Sequence, residues 1–142
     1  MQYWLCKGIG IEVGKLEPHL NVEKCLSLAK EQFADEDIPA ADEISGLDEL
    51  EELLWSGGLF DNLADMLTFC DDTDTLTWDS NGEGEYFFYY IPSYPWERVE
   101  NEPQSLEEVH ERIIAAVQRV CDISGKEIEE MIDNEIYEVG CG

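Results

Sequence analysis

The chain has 142 residues and sets 34 acidic against 8 basic side chains, a formal net charge of −26 at pH 7. Its 44% hydrophobic and 11% aromatic content excludes an acidic disordered tail, because disorder pairs high net charge with few aromatics. A charge of this sign excludes direct binding to phosphate backbones, and no run approaches the roughly 18–20 apolar residues of a membrane span.

In chain order, residues 2–14 read as a strand region in which Ile9, Ile11 and Val13 alternate and Gly8 and Gly10 mark a bulge or bend. Asn21 caps a helix reaching about Phe33, with Val22, Cys25, Leu26, Ala29 and Phe33 at helical spacing. A loop broken by Pro39 follows. Ser45-x-x-Asp48 then opens a second helix with Leu47, Leu50, Leu53 and Leu54 inward, Asp48, Glu49, Glu51 and Glu52 outward, and Gly57-Gly58 as its stop. Leu59 to Cys70 forms a third, with Leu59, Phe60, Leu63, Met66, Leu67 and Cys70 inward and Asp61 and Asp65 outward.

Thr73–Trp78 and Glu85–Ile91 are strand-like runs flanking the turn-rich tip 79–84. Pro92, Pro95 and Pro103 make a rigid connector. The capping box Ser105-Leu-Glu-Glu108 opens a helix to about Asp122, with Leu106, Val109, Ile113, Ala116, Val117 and Val120 buried. Ser124-Gly-Lys-Glu127 repeats the device for a short helix carrying Ile128, Met131 and Ile132, and Ile136–Val139 reads as a last strand. The predicted fold class is α+β in a single domain, residues 1–142: a small mixed or antiparallel sheet of about four strands, including a central hairpin, with four to five helices packed on it.

The charge is unevenly distributed. Residues 1–31 are balanced, whereas Glu31 to Glu97 holds 19 acids and no Lys or Arg. An ordinary solvated surface mixes signs, because opposite charges at helical spacing stabilise each other by a few tenths of a kcal/mol. The five cysteines, Cys6, Cys25, Cys70, Cys121 and Cys141, form no close pair, and Met1 to Lys7 is charged too soon for a secretory leader. Reduced, buried thiols and a cytoplasmic location are the expectation.

Catalytic motifs are nearly absent, and no catalytic residue, cofactor or metal is assigned. Gly8, Gly10 and Gly14 miss the dinucleotide-binding spacing, and Ser124-Gly125-Lys126 lacks the upstream glycine of a phosphate loop. His19 and His110 are the two histidines available to a Cys–His nucleophile. Asp79-x-Asn81-x-Glu83-Gly84 begins like a calcium loop, but its twelfth position is Tyr90 in place of the bidentate Glu.

Tyr86 to Trp96 holds seven aromatics in eleven residues. In a strand Tyr86, Phe88 and Tyr90 face one way and Phe87, Tyr89 and Ile91 the other, so core packing accounts for Phe87 and Phe88. Tyr94 and Trp96 stand beyond the strand as interface anchors. The sequence thus points to a non-enzymatic acidic binding or inhibitor protein that mimics nucleic-acid phosphates and fills the basic groove of a nucleic-acid-binding protein or nuclease. Anti-restriction and anti-CRISPR inhibitors of phages and mobile elements are of this type. The anionic face is assigned to Glu49, Glu51, Glu52, Asp61, Asp65, Asp71, Asp72, Asp74, Asp79, Glu83 and Glu85. The alternatives are a protein-binding or antitoxin-like module anchored by Tyr94 and Trp96, and a weak divalent-metal binder. A homodimer would need an apolar interface to offset self-repulsion.

Overall fold

A computed structural model describes residues 5–80, 83–91 and 103–140, with side chains described for 8–80, 83–91 and 103–134. The alternating apolar run of the N-terminal region becomes β1 (Leu5–Glu12). It lies inside a sheet of order β2-β3-β1-β4, in which β2 is Thr77–Ser80, β3 is Tyr86–Tyr90 and β4 is Asp133–Gly140. Every pairing is antiparallel, and the first and last strands are neighbours. The α+β reading holds, with the β2–β3 hairpin at one side of the sheet.

Register explains which aromatics are buried where. Ile9 pairs with Tyr90 and Ile11 with Phe88, so these four share the inner face; Gly10 pairs with Tyr89 and Glu12 with Phe87 on the outer face. Ile11 and Phe88 are fully buried under helices, while Tyr89 joins Phe87 and Ile91 in a separate cluster. Tyr89 is only 4% exposed because β1 offers glycines beneath it: a Cβ on Gly8 would meet Tyr89 Cδ2 at 3.2 Å. The same glycines sit at the register shifts between β1 and β4, where a bulge or bend was expected. Burial pushes the Tyr89 hydroxyl up to about 12, and the Asp79 carboxylate adds to the shift.

The inner face is covered by α3 (Leu63–Cys70), packed on β2 and β3, and by α4 (Leu106–Gln118), packed on β1 and α3. Helix α1 (Val22–Gln32) buries Cys25, Leu26, Leu28 and Ala29. Helix α2 (Leu47–Glu51) continues into a π-helical turn, Glu52–Ser56, and α5 (Gly125–Met131) leans on α4. Backbone bonds from Asn21 N to Val120 O (2.8 Å) and Asp122 N to His19 O (2.8 Å) join the start of α1 to the end of α4.

Several boundaries differ from the sequence reading, each for a local reason. Helix α2 is capped at Gly46 rather than by Ser45 and Asp48; the Glu49 carboxylate reaches back and accepts from Ser45 N (2.8 Å) and Ser45 Oγ (2.5 Å). Helix α3 starts at Leu63 instead of Leu59, because Asn62 accepts from Asp65 N (3.0 Å) and Asp65 accepts from Asp61 N (3.0 Å). Leu106, read as buried, is 48% exposed: it is the first residue of α4, ahead of the turns that pack. That helix ends at Gln118 rather than near Asp122.

The strand expected from Thr73 begins only at Thr77. The backbone N–H groups of Thr73, Thr75 and Leu76 donate to the Asp71 carboxylate at 3.0, 2.9 and 2.9 Å, so that segment wraps a side chain instead of pairing. The centre of the hairpin tip (Asn81, Gly82), the proline connector through 102 and Cys141 lie outside the described residues, as do the side chains of Cys6 and Lys7.

Candidate partner-binding surface

The acids assigned to the anionic face divide into those whose carboxylates hold the fold and those with exposed side chains. Glu49 and Asp65 are N3 caps, each accepting from the backbone N–H of the residue preceding the N-cap. Glu108 does the same for Gln104 N (2.6 Å), while Ser105 Oγ caps Glu108 N (3.1 Å). Asp65 also accepts from Trp78 Nε1 (3.1 Å), which pins α3 to β2. The Ser45 hydroxyl, then its N–H, holds the Glu49 carboxyl below the usual range.

Asp71 is a hub. Burial raises its pKa, but the Thr73 hydroxyl (2.5 Å) and the three backbone donors outweigh burial and leave it lowered. Asp79 accepts from Ser80 N at 2.7 Å. Glu51 is half-buried, and its pKa is raised by that burial and then by the charges of Glu17 and Asp48. Glu52, Asp61, Asp72, Asp74, Glu83 and Glu85 have exposed side chains. Asp74 takes a positive φ of 54°, which a short acidic side chain tolerates.

Three of the described bases, Lys24, Arg112 and Arg119, are engaged within the fold. Lys24 Nζ donates to Gln118 O (3.1 Å) and Cys121 O (3.0 Å) at the end of α4 and lies 3.2 Å from Asp122. Arg119 donates to Cys70 O (3.2 Å) at the end of α3 and pairs with Glu31 (3.2 Å) and Asp72 (3.4 Å). Arg112 bonds Thr75 Oγ1 (2.9 Å) and Glu108 (2.9 Å). Two of these cations therefore satisfy the carbonyl ends of helices, where the macrodipole favours positive charge. Lys15, Lys30 and Lys126 are exposed, and none falls between Glu31 and Glu97.

Other chemistry is muted among the described residues. Burial pushes the thiols of Cys25, Cys70 and Cys121 up to about 12, which makes them poor nucleophiles. His110 lies 2.7 Å from Asn134 Oδ1 and 3.7 Å from Glu129, joining α4 to α5 and β4. No group of three or more His, Cys, Asp and Glu among the described residues is arranged to hold a metal ion. Tyr90, at the calcium loop's would-be twelfth position, is 7% exposed and part of the core. No described helix is long and apolar enough to cross a membrane.

The anchors named from sequence, Tyr94 and Trp96, lie outside the described residues. The structure brings forward a different aromatic group. Phe33 at the end of α1, Phe60 before α3 and Phe69 on α3 pack edge-on, with ring centroids 5.2 Å apart for Phe33–Phe60 and 5.3 Å for Phe60–Phe69. Phe60 is buried, Phe33 half-buried and Phe69 39% exposed. The signal was present in the sequence: Phe69 lies off the stripe formed by Leu63, Met66, Leu67 and Cys70.

Compared with known proteins, the chain matches no family model, no curated protein and no solved structure.

Proposed function

We propose that this chain is a non-catalytic, cytoplasmic binding protein that presents a phosphate-like array of carboxylates to the basic groove of a nucleic-acid-binding protein, acting there as an inhibitor of the anti-defence type. The observation that carries the reading is the disposition of the bases. Lys24, Arg112 and Arg119 are tied to main-chain or side-chain acceptors within the fold, and of these Arg119 neutralises Glu31 and Asp72 while Lys24 and Arg112 hold acceptors outside the acids of 31–97. Glu52, Asp61, Asp74, Glu83 and Glu85 remain at the surface of that segment. A groove built for phosphates favours such an array and releases its counterions when filled.

The decisive substitutions are not those the sequence alone would choose. Reversing Glu49 or Asp65 removes a helix cap and confounds binding with folding. Glu52→Lys, Asp61→Lys and Asp74→Asn together leave the caps and the left-handed backbone at residue 74 in place. The partner is captured from lysate on the immobilised chain and eluted by salt, then by DNA or RNA. Release by nucleic acid and an affinity loss of about tenfold or more in the triple variant are expected, from a few tenths to 1 kcal/mol per exposed charge. Retention in the presence of excess nucleic acid, or unchanged affinity of the triple variant, refutes the proposal.

A further inference from the structure

The Phe33–Phe60–Phe69 cluster brings one exposed ring, Phe69, to a surface rich in acids. Phe69 and Leu106 are the large apolar side chains exposed among the described residues, and of the two Phe69 alone belongs to an aromatic cluster. Phe60 forms its floor and Phe33 stands 6.4 Å from Phe69 across it. In sequence Asp61 adjoins Phe60, and Asp35, Glu36 and Asp37 follow Phe33, all exposed. The Glu31–Arg119–Asp72 bridge joins the end of α1, after which Phe33 stands, to the end of α3, which carries Phe69. Asp72 keeps 91% of its side chain in solvent. Lys30 precedes Phe33 in sequence, and Arg119 is already engaged by both carboxylates.

These features select one occupant by charge complementarity. A second copy of the chain would bring −26 against −26. A neutral apolar segment would desolvate the surrounding carboxylates with nothing to replace the lost water. A basic segment bearing arginine meets both demands. Its guanidinium is weakly hydrated, stacks on an aromatic face, and still offers donors to the flanking acids.

We propose that the Phe33–Phe60–Phe69 patch is the anchoring point of the partner interface and receives an arginine-containing, partly apolar basic segment of the partner protein, Phe69 supplying the ring face and Glu31, Asp61 and Asp72 the rim. This deepens the phosphate-mimicry reading and rests on it: the spread carboxylates attract the basic groove, and the aromatic patch fixes one segment of it in place. The division of labour matches interfaces in which a central aromatic carries affinity and rim charges govern encounter.

The test uses two synthetic peptides of equal length and positive charge, one of Arg and Leu, the other of Lys, Gly and Ser. Binding to the intact chain is measured by fluorescence anisotropy at low salt and at about 0.3 M salt, where exposed charges are screened. The Arg/Leu peptide is expected to bind about tenfold tighter and to keep most of that margin at the higher salt. Phe69→Ser is expected to abolish the margin while leaving the Lys/Gly/Ser peptide unaffected. Should that variant misfold by circular dichroism, Phe69→Leu retains the contact with Phe60, removes the ring face, and is expected to cost the Arg/Leu peptide about threefold. Equal binding of the two peptides, or a margin unchanged by substitution of Phe69, overturns the anchor alone. If neither peptide binds at low salt, the anionic-surface reading falls with it.

Discussion

The closest backbone approach described in the sheet predicts a sharp difference between two glycines in the same strand. A Cβ placed on Gly10 would lie 2.7 Å from Tyr89 Cα and nearer still to Phe88 O and Tyr89 Cβ, so β1 and β3 must separate to admit it. A Cβ on Gly8 would lie 3.2 Å from Tyr89 Cδ2 and 3.4 Å from Tyr90 O, and a small tilt of the ring accommodates it. Overpacking costs about 1–3 kcal/mol, and the strand separation also uncovers Tyr89, so Gly10→Ala belongs at the upper end, about 3 kcal/mol. Gly8→Ala loses less than about 1 kcal/mol in contacts and regains a similar amount from a less flexible unfolded chain, for a net change near zero. Urea titration separates them: the Gly10→Ala midpoint falls by roughly 1–2 M at unchanged slope, and the Gly8→Ala midpoint stays within about 0.5 M of the parent. Equal shifts, or a Gly10→Ala midpoint at the parental value, would refute the account of how Tyr89 is buried.

Two carboxylates should act on stability in opposite directions with pH. Glu51 has its folded pKa raised, so its charge opposes folding at neutral pH; Glu51→Gln should raise stability slightly at pH 7, and the gain should fade as pH falls through the folded pKa and vanish below about 4. Thermal melts from pH 3 to 8 measure it, and a loss of stability at pH 7 contradicts it. Asp71 has its folded pKa lowered, so its contribution is complete above about 4 and is lost as pH falls further. Asp71→Asn should cost about 1–3 kcal/mol at pH 7, because the amide nitrogen cannot accept from Thr75 and Leu76, and the difference from the parent should shrink below pH 4. A pH-independent difference would show that the carboxylate charge is irrelevant to that turn.

The helices were legible wherever period and cap agreed. Asn21, Ser105 and Ser124 each accept from the predicted N3 amide, and the apolar stripes of α1 and α4 are buried nearly as spaced. The paired faces of β3 also followed from alternation. What escaped were competitions between side chain and backbone: Asp71 withdraws the amides of Thr73, Thr75 and Leu76 from a strand that β propensity favours. The pairing of β1 with β4 is set across the whole chain and leaves no local signature. On the surface, composition alone treats every carboxylate as equivalent, whereas Glu49, Asp65 and Asp71 are occupied and Glu52, Asp61 and Asp74 are not. The Phe69 patch escaped because its three rings come from different elements and meet only in the fold.

The repeated use of Glu49, Asp65 and Glu108 as N3 acceptors has a consequence for mutational drift. At these positions lysine cannot accept the amide proton, and an apolar side chain leaves the helix start open. The other acid keeps both acceptor and charge, whereas glutamine or asparagine keeps the acceptor at the loss of the favourable charge at the helix start. Selection for folding therefore holds part of the acidity in place without reference to any partner, whereas the exposed acids of the same segment are unprotected by the fold. In a collection of functional variants, acidity retained at Glu49, Asp65 and Glu108 would reveal nothing about binding. Acidity retained at Glu52, Asp61 and Asp74 is the pattern that selection for a partner alone would leave.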